Sequence, residues 1–209
     1  MNSGHTTQRA ERGRRRRLAG LVVIGLAAMT IGAASLSLAL FTSAATVNGN
    51  SFTTGTVVIG TNPATSLLSA TALMPGDSVP SGTPGAPITV SNTGTAQLRY
   101  AISGTSTDAD NLHLNTQLVL TVRQPDGNTG SSCTAMTGNV LFNGVVPTAG
   151  VNMVGDPTQG FQTGDRTLDG GTSETLCFKA SLPIGTGNAF QGATSDYTFT
   201  FSAEQTANN

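Results

Sequence analysis

The run LHLNTQLVLTVR, residues 112–123, decides the fold class. Leu112, Leu114, Leu118, Leu120 and Val122 fall on one face of a two-residue repeat, and His113, Asn115, Gln117, Thr121 and Arg123 fall on the other. Side chains alternate in this way only along an extended chain, so the run predicts a strand with one face in a core and one near water. The same alternation sets Leu98, Tyr100 and Ile102 inward against Arg99 and Ser103. It sets Leu176, Phe178, Ala180 and Leu182 against Lys179 and Ser181, and Tyr197, Phe199 and Phe201 against Thr198, Thr200 and Ser202. Weaker strands are expected over 52–59, 86–91 and 139–146.

Turn-forming residues punctuate these runs: Pro75-Gly76-Asp77, Asn92-Thr93-Gly94, Pro125-Asp126-Gly127 and Asp169-Gly170-Gly171. Pro75 fixes φ, Gly76 tolerates positive φ, and Asp77 is placed to accept local backbone amides. No long amphipathic helix is legible after residue 41, and 143–171 is poorest in pattern, an expected long excursion. Short strands apolar on one face must pair those faces, which predicts two packed antiparallel sheets.

Composition agrees with this class. The chain has 209 residues, of which 10% are charged and 37% hydrophobic, with no Trp. Helical surfaces normally carry far more Glu, Lys and Arg, and ordinary soluble domains are about 25% charged. With 26 Gly and 9 Pro the chain stays below the level that marks low-complexity disorder. The near-zero net charge is uneven. Of ten basic residues, six are Arg9, Arg12, Arg14, Arg15, Arg16 and Arg17, with only Glu11 opposing them in that stretch. Beyond residue 17, four basic residues stand against ten acidic ones, so the body repels a polyanion and no nucleic-acid partner is expected.

Immediately after Arg17 comes LAGLVVIGLAAMTIGAASLSLALF, residues 18–41, without a charged residue. A basic flank, an apolar run and then small residues make the layout of a secretory signal, here residues 1–39 with basic region 9–17 and apolar region 18–39. Ser37, Leu38 and Ala39 suit a signal peptidase and place the cut between Ala39 and Leu40; residues 42–44 offer a second site. The apolar run is longer than a usual signal core and long enough to span a bilayer, so retention as an uncleaved anchor is the alternative to cleavage. Apart from this segment no membrane contact is expected. Residues 40–209 then form a single β-sandwich domain outside the cell. Cys133 and Cys177 are an even pair in a chain that folds in an oxidising compartment, and lack metal-site or redox spacing, so a disulfide is expected.

The mature chain resembles the TasA/camelysin family along most of its length, with 125–171 least covered. Residues 40–60, LFTSAATVNGNSFTTGTVVIG, are similar to that family's mature start, with Phe41, Phe52, Gly55, Thr56 and Val57 at the matching positions. The turn LMPGDSV (73–79) followed by ITVSNTGTAQLRYAIS (88–103) is similar to its Pro-Gly-Asp turn and Asn-x-Gly connection. The closing stretch LPIGTGNAFQGATSDYTFTFSAEQT (182–206) resembles its last segment, with Asn188, Gln191, Gly192, Ala203, Glu204 and Gln205 in place. The resemblance implies a jelly-roll β-sandwich, exported and assembled with copies of itself into fibres of the extracellular matrix or biofilm. It also implies that residues 41–52 act as a donor strand, with Phe41, Val47 and Phe52 as anchors. Added strands of this kind satisfy the unpaired N–H and C=O groups of a sheet edge while alternate side chains fill pockets.

Two other functional classes bear on these residues. The camelysin name carries an endopeptidase association, but His113 is the only histidine beyond the signal, and one imidazole does not make a two-histidine zinc site. A Ser/His/Asp arrangement from His113 with Asp108 or Asp110 lacks a nucleophile elbow, and His113 is expected on the polar face of a strand. A cell-surface binding module for glycan or calcium is the other class. Asp108-Ala109-Asp110-Asn111 spaces carboxylates as calcium loops do but lacks the closing Glu. A glycan face needs exposed aromatics, whereas Tyr100 and Tyr197 are both expected inward. No enzyme activity, cofactor or metal is expected.

Overall fold

A computed structural model describes residues 54–206. The expected signal helix, the cut between Ala39 and Leu40, and the donor residues Phe41, Val47 and Phe52 lie outside the described residues. Within them the chain is an all-β, antiparallel sandwich. Its strands are β1 (Ile59–Asn62), β2 (Ser78–Val79), β3 (Ala86–Asn92), β4 (Leu98–Ser106), β5 (Val119–Arg123), β6 (Val140–Gly144), β7 (Val151–Val154), β8 (Arg166–Leu168), β9 (Ser173–Ser181) and β10 (Tyr197–Gln205). The only helical pieces described are three single 3-10 turns.

The larger sheet runs β1-β3-β9-β5-β6, with β2 also pairing β9. The smaller runs β10-β4-β7, with β8 also pairing β4. The chain changes layer between β3 and β4, β4 and β5, β6 and β7, β8 and β9, and β9 and β10, so it wraps as a jelly-roll does. Between the layers Leu98, Tyr100, Ile102, Leu120, Val122, Leu176 and Phe178 are fully buried. These are residues that period-2 alternation turned inward, because alternation records which face of a pleated strand is dry.

Several expectations differ from the structure. In 112–123 only the second half is strand; residues 114–116 form a 3-10 turn and His113 is its cap, with φ 58. The register of β5 against β9 begins at Val119, so Leu114 and Leu118 reach the core from a turn, while Leu112, expected inward, is exposed ahead of it. Asn115, assigned to water, is buried and its amide donates to Ser106 Oγ at 3.1 Å. The first strand lies later than 52–59, because the carbonyls of Thr56 and Val58 accept from Thr93, Thr95 and Ala96 and wrap the 92–96 turn instead of joining a ladder. Gly94 makes that wrap possible: a Cβ there would stand 2.2 Å from the Thr56 carbonyl oxygen. Arg99, expected outward, is buried, since β4 is central in its sheet and residues 155–165 cover its outer face. The excursion 143–171 contains β7 and β8, each too short for alternation to register.

The turn at Pro75-Gly76-Asp77 forms as expected. Gly76 has φ 95, the Asp77 amide donates to the Met74 carbonyl, and Asp77 Oδ2 accepts the Met74 amide at 2.9 Å. Cys133 and Cys177 are disulfide-bonded, with Cα atoms 5.5 Å apart.

Next to Cys133, Asp126 organises its loop. Its carboxylate accepts the amides of Ala135 (2.9 Å) and Thr137 (3.0 Å) and the hydroxyls of Ser132 and Thr134. The Thr137 and Ala135 amides hold this carboxyl well below the usual carboxylate range. A depressed folded pKa contributes stability above the unfolded value of about 4 and loses it as pH falls below that. Asp126→Asn should therefore lower stability at neutral pH yet flatten the decline below about pH 4, read from urea midpoints at stepped pH. An acid limb as steep as that of the parent would contradict the assignment.

Candidate functional site

The smaller sheet is three strands across and the larger five, so the layers do not match in width. Among the described residues, 197–201 of β10 pair β4 on one edge and no strand on the other. This free edge opens onto a groove of about 1130 Å³. Ile88, Leu120 and Ala180 from the larger sheet line it, as do Tyr197, Phe199 and Phe201 from β10. The three β10 aromatics point inward, as their alternation predicts, but are only half-buried. Phe199 packs on Phe178 with ring centroids 5.2 Å apart, and Phe201 lies 6.4 Å from Tyr100. Their remaining exposed surface is the surface a further strand would cover.

The groove is polar at one end. Tyr197 Oη and Thr186 Oγ1 are buried and have no hydrogen-bond partner among the described residues, and both residues line the groove. Burial pushes the Tyr197 phenol above its ordinary value, with the nearby Ser195 hydroxyl drawing it back. That serine, however, donates to the Thr107 carbonyl at 2.8 Å and does not meet hydrogen-bond geometry with Tyr197. Two buried hydroxyls without partners favour an occupant that brings donors and acceptors, as a polypeptide backbone does and an alkyl chain does not.

The far wall of the groove is a strap, residues 63–73, between β1 and the Pro75 turn. Leu67, Leu68 and Leu73 of the strap rest on the core. Alternation missed it because its leucines sit in a Ser/Thr/Ala run with neither a two-residue nor a helical repeat; the available signal was that three leucines in a polar run need a surface to cover. Asn188 and Gln191, singled out by the family resemblance, are exposed on the groove rim.

Asp108, Asp110 and His113 are arranged differently from a catalytic or calcium site. His113 Nδ1 meets Asp108 Oδ2 at 2.5 Å, and the ring is largely exposed. The His113 amide bonds Asp108 Oδ1, and its carbonyl accepts the amide and hydroxyl of Thr116. Asp108 therefore staples a turn, with no serine in the network. Asp110 Oδ1 accepts the Leu112 amide and Oδ2 accepts the amide and hydroxyl of Thr194. The Leu112 and Thr194 amides lower its pKa, and its lone pairs are spent tying two loops together. Among the described residues no three His, Cys, Asp or Glu side chains are grouped to hold a metal ion. Tyr100 is fully buried and donates its hydroxyl to Glu174 Oε1 at 2.7 Å; burial foremost, then the Glu174 charge, pushes its pKa far up. Compared with known families and with characterised proteins, the sequence matches no family model and no characterised protein.

Proposed function

We propose that this protein is an exported structural subunit that assembles with copies of itself into extracellular matrix fibres by strand addition. The observation that carries the reading is the free edge of 197–201 beside an apolar, partly polar-ended groove. The occupant is residues 41–52 of a second copy. Twelve extended residues span about 40 Å at roughly 3.3 Å each, enough to run the full length of nine-residue β10. Phe41 and Val47 share one face of such a strand, with Ser43, Ala45 and Gly49 between and beyond them, a pattern of two anchors among small residues, while the third anchor, Phe52, falls on the opposite face at the strand's end. The basic and apolar segment 1–39 supports export, and signal peptidase cleavage after Ala39 frees the donor only outside the cell, which delays assembly until then. The acidic body agrees with a partner that is protein and not nucleic acid.

Deleting residues 40–50 from the exported protein tests the reading. The expected result is a folded subunit with its disulfide intact and its thermal transition unchanged, which forms no filaments by electron microscopy. Filaments of normal length from that deletion would refute the donor role.

A further inference from the structure

We propose that the strap at 63–73 is a clamp: it closes on the incoming donor strand and pairs with the donor's outer edge, becoming a further strand of the smaller sheet. The proposal rests on the strand-addition reading above. A strand laid against β10 satisfies only half of its own backbone; its second edge faces the far side of the groove, where the strap lies. The strap is equipped to meet it. Among the described residues no hydrogen bond holds any residue of 63–73, so its backbone donors and acceptors are unspent on the rest of the described sandwich. Proline stands at 63 and 75 and nowhere between, so every amide from 64 to 73 is a potential donor.

Both ends of the strap are pinned, as a clamp requires. Asn62 pairs with Thr89 in the sheet, and beyond the strap the Met74 amide donates to Asp77 and the Gly76 amide to the Leu182 carbonyl. Between these anchors Ser66 has φ 54, a left-handed conformation that is costly for serine and that an extended strand relieves. The widths agree as well. A donor and the strap would widen the smaller sheet from three strands across to five, the width of the larger. In the isolated subunit the strap's three leucines shield the core, which keeps an apolar groove from binding indiscriminately.

Hydrogen exchange read by mass spectrometry tests this on the purified protein, with and without a synthetic peptide of residues 41–52, FTSAATVNGNSF. Without peptide, the amides of 64–73 should exchange nearly as fast as an unstructured chain. With saturating peptide they should slow on the order of 100-fold, together with those of 197–201. Ala70→Pro, which removes one strap amide that bonds none of the described residues, should leave the thermal transition in place and weaken peptide binding about fivefold to tenfold. Protection at 197–201 with an unprotected strap overturns the clamp and leaves strand addition standing. Protection at neither place overturns strand addition itself.

Discussion

Arg99→Ala should lower the unfolding free energy by about 3–5 kcal/mol, the range seen when one partner of a buried ion pair is removed. The Arg99 and Asp165 side chains are 3% and 0% exposed and meet at 2.8 Å. Arg99 also donates to the carbonyls of Asp156 and Thr158 and to Glu204 Oε1. The Asp165 carboxylate accepts the amides of Asp156 (2.9 Å) and Gln162 (2.7 Å), and Glu204 accepts that of Gly160 (2.6 Å). One guanidinium thus fastens residues 156–165 onto the outer face of β4 and ties them to β10. Truncation leaves the buried Asp165 carboxylate without its counter-charge, and loosens the covering loop as well. For a domain of this size the thermal midpoint should fall on the order of 10 °C. Arg99→Lys should recover only part of the loss, because an ammonium lacks the planar fork that serves several acceptors at once. A loss under about 1 kcal/mol in chemical denaturation would show that the network is incidental.

Removing the Cys133–Cys177 bridge should cost a similar amount. The linked residues are 44 apart, and the loop-entropy relation gives roughly 4 kcal/mol for a loop of that length. The bond sits where it constrains most. Cys177 is fully buried in β9, between Pro87 of β3 and Arg123 of β5, on the face opposite Leu176 and Phe178. Cys133 belongs to the loop that Asp126 organises, and its carbonyl accepts the Gly85 amide at 2.7 Å just before β3. Without the bridge the loop loses its tether to the outer face of the larger sheet. Replacing both cysteines by alanine should move the urea midpoint down accordingly, and adding reductant to the parent protein should reproduce most of that shift. Equal midpoints for parent and double variant would contradict this account.

The core faces were legible from the sequence because burial on one side of a pleated strand imprints a two-residue repeat. Leu176, Phe178, Ala180 and Leu182, and likewise Tyr197, Phe199 and Phe201, point where alternation put them. The disulfide followed from cysteine parity and the export pattern. What escaped was set by tertiary neighbours. Nothing local marks Arg99 as buried, because its partners Asp165 and Glu204 are 66 and 105 residues away. Leu112 and Leu114 fitted a strand by spacing, but Asp108 and Asp110 bend the preceding chain into turns through their own carboxylates, a preference that alternation does not record. The groove itself is a difference in width between two sheets, a property of the assembly of strands and of no single run. Its strap left only the trace of three leucines in a polar stretch.

The central claim is that the edge of β10 takes a strand from another copy. Cryo-electron microscopy of the exported protein, concentrated until it assembles, addresses it most directly, at a resolution that traces the backbone. The expected image has residues 41–52 of one subunit lying against residues 197–201 of the next, with the groove filled. Filaments joined through other faces with this edge still open, or a protein that remains a single subunit at every concentration tried, would contradict it.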